Sequence, residues 1–350
     1  GRVALWAAYF LAPAITTTAV LEALVRLLRP RGQGRSRLEN HVILVGAGPV
    51  GLAYLKAIRS VEPEKPVLLV DHLGSLVNTA EVEGLGGVQV LQADARRPAT
   101  LDLLGLERGD RMVVVTDDDL VNLDAGWGAK ERCASLPVAV HVADLSLLRP
   151  VNRMVRDRAR AATSGESQPL VFNTHRIGAL HLYERFLHPH FQETAYRDVV
   201  VLGGFGRFAQ TILELLRVTA ADEIERILVV DTDAGRLLRQ FEADVSLDAI
   251  PHSAVDGDLE DPGTWGRVRD ELAGLAGDPV YLLASSDEVV NFRAAMLLRA
   301  READPLIFAR CFHRGRFAES LASQRRFELL AFEEVLRDAL VEHYEGLRTV

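Results

Sequence analysis

Gly46, Ala47, Gly48, Pro49, Val50 and Gly51 spell GxGxxG directly after an apolar run. At that spacing the first glycine suits a tight turn, and the second lets a pyrophosphate reach the backbone. The third lets a helix pack close to a strand. A helix opening there would direct free N–H groups and a partial positive charge at phosphate. Asp71 stands 20 residues beyond Gly51, at the end of VLLVD. A carboxylate so placed accepts hydrogen bonds from ribose hydroxyls and disfavours a 2′-phosphate. His72 adjoins it. Asp94 and Ala95 follow a third apolar run, and Thr116 and Asp117 a fourth. Ligands of open α/β sheets bind along that strand-end edge. Thr116 and Asp117 read equally well as caps of the helix that follows.

The pattern returns in weaker form. Gly204, Phe205, Gly206, Arg207, Phe208 and Ala209 make GxGxxA, with Asp231 in the acid position and Asp258 at the next strand end. Arg207 brings a charge suited to a phosphate, while Phe205 and Phe208 bring bulk. An occupied second site and a purely structural duplicate both stand as readings.

These residues need strands and helices to hold them, and the chain supplies them twice. HVILVGAGPVG matches VVVLGGFGRFA, VLLVD matches ILVVD, QADA precedes a turn as GDL does, RMVVVTD matches VYLLASSD, and PVAVHV matches PLIFAR. Short apolar runs alternating with helical stretches predict parallel sheets covered on both faces. The expected fold class is α/β, with two Rossmann-like doubly wound parallel-sheet domains in tandem and an N-terminal apolar helix. Each copy is expected to hold five strands. The expected division is 1–38 apolar helix and basic linker, 39–150 first domain, 151–197 loop and connecting helix, 198–322 second domain, and 323–350 C-terminal amphipathic helix. Residues 156–169 read as a solvated loop. Helices predicted at Asn173–Leu187 and Phe327–Tyr344 carry apolar faces: Ile177, Leu180, Leu182 and Phe186 in one, Leu329, Phe332, Leu336 and Leu340 in the other. Faces of that size mark interfaces, here between the copies and between chains.

Composition narrows the function. The chain has 350 residues, of which 48% are hydrophobic and 25% charged, so it is neither disordered nor a collagen-like repeat. Its net charge of −9 argues against a nucleic-acid partner. Cys133 and Cys311 are too few for a disulfide framework. Val3–Val25 carries one charge, Glu22, and is followed by Arg26, Arg29, Arg31, Arg35 and Arg37. That length approaches the roughly 20 residues of a membrane span, with a basic cytoplasmic flank. A docked amphipathic helix is the alternative. No catalytic residue and no metal set is assigned. His141, His181, His188, His190, His252 and His313 read as structural or exposed, and the acidic groups at 117–119 and 256–261 as solvated loop ends. An NAD-dependent oxidoreductase would need a substrate domain and a proton-transfer group. Both halves here are spent on nucleotide folds.

The stretches HVILVGAGPVG, VLLVD, QADARRPATLDLLGLERGDRMVVVTDDDLVN and PVAVHV together resemble the RCK (regulator of K+ conductance), or Trk-type, nucleotide-binding domain. The resemblance covers Glu39–Val142 well, with Asp94–Asn122 its specific part, and extends less strongly over Asp198–Phe317. It implies binding of NAD(H) or an adenine nucleotide (ATP, ADP or AMP) and a place on the cytoplasmic face of the cell membrane. It also implies a role in gating a potassium channel or transporter. The partner would be a membrane domain upstream of Gly1 in the same polypeptide. The assembly would be a homo-oligomer, a tetramer whose four chains supply eight domains to a gating ring. One departure is that no separate C-terminal ligand lobe follows either copy.

Overall fold

The computed structural model describes residues 38–72, 82, 84–161, 168–277, 279–300 and 305–342. The predicted apolar N-terminal helix and most of its basic linker lie outside them. From Asn40 onward the chain forms one compact unit.

The first sheet holds β1 (His41–Val45), β2 (Val67–Asp71), β3 (Val88–Gln92), β4 (Gly109–Val114), β5 (Val138–His141) and β6 (Leu170–Phe172). They lie in the order β3-β2-β1-β4-β5-β6, all parallel. The connecting helices are α1 (Pro49–Val61), α2 (Pro98–Leu101), α3 (Asp119–Arg132) and α4 (Leu145–Ala161). β1 and β2 are buried along their whole length, which is why both read as unbroken apolar runs rather than alternating ones. After β6 come α5 (Thr174–Leu182) and α6 (His188–Glu193), joined by a wider helical turn.

The second sheet repeats this order. It holds β7 (Asp198–Gly203), β8 (Ile224–Asp231), β9 (His252–Asp256), β10 (Pro279–Leu283), β11 (Leu306–Cys311) and β12 (Glu328–Ala331). Their spatial order is β12-β11-β10-β7-β8-β9. Its helices are α7 (Arg207–Thr219), α8 (Ala234–Glu242), α9 (Pro262–Leu272), α10 (Glu288–Arg299), α11 (Arg316–Arg325) and α12 (Phe332–Glu342). In both sheets the order reverses beside the strand that carries the glycine turn, and that crevice is where such folds bind ligands.

Two expectations are corrected. Each sheet has six strands, not five. The extra ones are short edge strands, and ELLA at Glu328–Ala331 has no pattern that separates strand from helix. Its parallel register against Phe308–Cys311 decides the matter. The helix expected at Phe327–Tyr344 therefore begins only at Phe332. The loop expected from Arg156 is helix as far as Ala161. Arginine and alanine are strong helix formers, and Arg153, Arg156, Arg158 and Arg160 all face solvent.

The trailing helices are exchanged between copies. α5 follows the first sheet but packs on α7 of the second; α12 follows the second sheet but packs on α1 of the first. The two also meet each other. Leu182 and Leu336 are fully buried there, and Phe186 sits edge-on to Phe308 with ring centres 5.5 Å apart. Gly178 makes the approach possible, because a Cβ at that position would stand 2.9 Å from the Phe332 ring and 3.3 Å from that of Phe208. One hydrophobic core thus draws on both copies, from Val42 and Leu55 to Phe205, Phe208 and Leu336. An ion pair from Lys56 on α1 to Glu333 on α12 crosses the same seam.

Candidate functional site

Gly46 turns the chain out of β1 at φ 107°, a conformation that only glycine adopts freely. A Cβ there would also press on the backbone of Val115 and Thr116. Gly48 is the N-cap of α1 and carries no side-chain cap, so the first N–H groups of α1 point outward without a protein acceptor from the cap residue. No atom lies within 4 Å of where a Cβ on Gly48 would be. Gly51 differs, since its Cβ would collide with the Gly46 carbonyl oxygen. The three glycines thus split cleanly: Gly46 and Gly51 serve the fold, while Gly48 leaves space outside it. Pro49 occupies the first helical turn and Val50 is half-buried.

Asp71 is 8% exposed at the end of β2. Its Oδ2 accepts the Ala47 N–H at 2.9 Å, and its Oδ1 accepts the His72 N–H at 2.7 Å. The carboxylate therefore clamps the glycine turn to the neighbouring strand and keeps lone pairs at the crevice. His72 itself is exposed. Asp94 is held by Arg96, with Nε to Oδ1 at 3.0 Å and Nη2 to Oδ2 at 2.9 Å. That pairing lowers its pKa and occupies both oxygens. Ala95 is buried. Asp117 is exposed, and it is Asp118 that caps α3, accepting from the N–H groups of Leu120 and Val121.

Thr116 is bound to a residue that the reading of motifs passed over. Asn122 is fully buried. Its Oδ1 accepts from the Thr116 hydroxyl at 2.6 Å and the Thr116 N–H at 2.8 Å, and its Nδ2 donates to the carbonyls of Thr116 and His141. In the second copy Asn291 repeats the backbone bonds: its Oδ1 accepts the Ser285 N–H, and its Nδ2 donates to the carbonyls of Ser285 and Arg310. These amides hold the strand ends beside each glycine turn in place. The signal was present in the sequence as a Thr or Ser followed six residues later by Asn, once per copy.

The second loop has the same geometry. Gly204 has φ 84°, Gly206 caps α7 without a side-chain bond, and the space beyond Gly206 is open within 4 Å. Oδ2 of Asp231 accepts the Phe205 N–H at 2.7 Å. Phe205 and Phe208 do not fill the crevice. Both are buried, Phe205 edge-on to Phe241 and Phe208 edge-on to Phe332. Arg207 remains half-exposed, 4.0 Å from Asp144. Asp258 is exposed and accepts the Glu260 N–H.

Two imidazoles lie where the copies meet. Burial pushes the pKa of His141 down to about 4. Burial, with Arg310 next in weight, pushes that of His175 down to about 3. Both are neutral in the folded chain and ionise near 6.5 when unfolded. Between pH 6.5 and these lowered values the unfolded chain binds more protons, so stability falls as pH falls. At pH 5 the cost reaches about 2 kcal/mol for each ring. Urea unfolding at pH 7 and pH 5 is expected to show this loss, reduced by about half in His175→Leu. An equal loss in that variant would exclude His175 as a source.

Residues 42–158 match the TrkA-N domain family. Among solved structures, the chain is similar to GsuK bound to ADP at 15% identity, covering 98% of this chain and 81% of that one, with a TM-score of 0.61. The GsuK channel bound to NAD gives 12% identity, coverage of 99% and 73%, and a TM-score of 0.62. The human SLO3 gating ring gives 8% identity, coverage of 88% and 84%, and a TM-score of 0.58. At these identities the likeness is one of fold. No curated protein matches the chain. The TrkA-N match thus falls on the first copy, and the tandem shares its fold with the GsuK RCK domain.

Proposed function

We propose that the chain is the nucleotide-sensing regulatory module of a potassium channel or transporter. The observation that carries this is the first glycine turn. An uncapped helix N-terminus opens onto free space at Gly48, with the Asp71 carboxylate fixed beside it. Phosphate fits the first and ribose hydroxyls the second. The ligand is NAD(H) or an adenine nucleotide, in keeping with the ADP and NAD held by the similar GsuK structures. The second loop, with Gly206 open and Arg207 beside it, is a further site of the same kind. Asp94, Thr116 and Asp117 line the edge of the first site, and Asp258 that of the second.

The regulatory reading is preferred to an oxidoreductase because both sheets among the described residues are spent on nucleotide folds, leaving no substrate domain, and His141 at the end of β5 is buried and neutral. Nε2 of His141 is taken by the Thr174 hydroxyl at 2.9 Å. The chain works at the cytoplasmic face of the cell membrane. It is joined to a membrane domain upstream of Gly1, and four copies form the ring. Ligand shifts such an assembly only through a difference in affinity between its states. A coupling of about 1–3 kcal/mol changes affinity roughly 5–150-fold. The route starts at α1, whose N-terminus meets the ligand and whose flank meets α12 of the other copy.

Isothermal titration with NAD+, NADH, ATP, ADP and AMP tests the reading. Binding of at least one is expected, weakened about 10–100-fold in Asp71→Asn, which keeps an acceptor for Ala47 but loses the charge that faces the ribose. A folded chain that gives no heat with any of the five would end the proposal.

A further inference from the structure

Among the described residues Arg310 has no ion-pair partner. It stands near the end of β11, on the side facing the other copy, and its guanidinium carbon lies 5.3 Å from the Phe208 ring centre and 5.0 Å from that of Phe332. Burial lowers its pKa. Stacking on aromatic faces offsets part of the cost of a desolvated cation, but not the loss of its hydrogen bonds.

His175 flanks the same two rings, with centres 6.2 Å from Phe208 and 5.6 Å from Phe332. Its Nδ1 is buried and has no hydrogen-bond partner. His141 is 5% exposed; its Nε2 meets Thr174, and its Nδ1 is likewise buried and unpartnered. Both imidazoles feel the charge of Arg207, the arginine of the second glycine turn. The Arg310 guanidinium and the His175 ring thus stand against the same two aromatic rings between the copies; His141 is close enough for each imidazole to bear on the same electrostatic environment, with Asp119 the carboxylate that His141 feels. Planar guanidinium matches the oxygen spacing of an oxyanion. His141 ends β5 and Arg310 stands one residue before the end of β11, so each lies at the carboxyl end of its own sheet, where the glycine turns also lie.

We propose that Arg310, His175 and His141 form an oxyanion site between the two copies, taking a phosphoryl group. That group is either free phosphate or the phosphate end of a nucleotide seated on Gly204–Ala209. Only the second source rests on the nucleotide reading of the second loop.

The test uses the full chain and Arg310→Met, which keeps the length of the side chain without its charge. Thermal unfolding is followed with inorganic phosphate. Titrations with ADP and with adenosine are run in a Gly48→Asp background, which closes the first loop. A rise of several degrees in the parent midpoint at about 10 mM phosphate, lost in Arg310→Met, supports the site with free anion as its source. No response to phosphate, but ADP binding weakened at least 10-fold by Arg310→Met with adenosine unchanged, supports it with the nucleotide as its source. Equal responses of the two chains, or no response of the parent to either ligand, overturn it. Should Arg310→Met fail to fold, nitrogen NMR of the parent decides. The Nδ1 resonances of His141 and His175 are expected to move when phosphate or ADP is added, and fixed resonances overturn the site.

Discussion

Gly48→Asp is expected to fold as the parent does and to lose nucleotide binding by about 100-fold or more, since a like charge set against phosphate costs several kcal/mol. Gly48 sits at φ −69° and ψ −177°, extended backbone that any residue adopts. A new Cβ meets nothing within 4 Å. Aspartate is moreover a favoured N-cap, so α1 should gain a few tenths of a kcal/mol rather than lose stability. The same carboxylate stands where phosphate oxygens would come and takes the N–H groups they need. Gly51→Ala is the contrasting case. Its Cβ strikes the Gly46 carbonyl, so binding and folding should fail together. Thermal unfolding and titration with ADP and NAD+ on both variants read the difference. Undiminished affinity in a folded Gly48→Asp chain would remove the phosphate from this turn.

Leu336→Ala should destabilise the chain by about 2–5 kcal/mol, the usual range for a leucine truncated in a core. Leu336 is fully buried in the shared core, on a helix that belongs by sequence to the second copy and by packing to the first. The cavity opens beside α1, so the first nucleotide site should weaken along with the fold although Leu336 lies outside it. Urea unfolding gives the first effect and titration with ADP the second. A loss of stability with ADP affinity unchanged would show that α12 supports the fold without bearing on the site. A change below 0.5 kcal/mol would contradict the packing itself.

Much of the site was legible because its requirements are local. A positive φ at Gly46 and the contact of Gly51 with Gly46 arise within a few residues, so glycine spacing reports them directly. The strand that follows ends on Asp71, and the same succession of turn, helix, strand and acid repeats from Gly204 to Asp231. The short strands β6 and β12 were not legible. Three or four apolar residues carry no period, and their state is set by a neighbouring edge.

What the amino-acid sequence by itself determined is thus the pair of Rossmann turns, their acids and the strands that hold them. Each of these follows from the backbone dihedrals and sterics of one short segment. The tertiary structure alone decided that α5 and α12 change partners, that Phe205 and Phe208 turn inward and leave the second crevice open, and that Arg310 and His175 stand against the same two rings between the copies. The reason is physical. Hydrophobic burial has no direction, so an apolar stripe states that a partner exists but not which one. That choice falls to shape, here the glycine at 178 that lets two aromatic rings from the other copy close on α5.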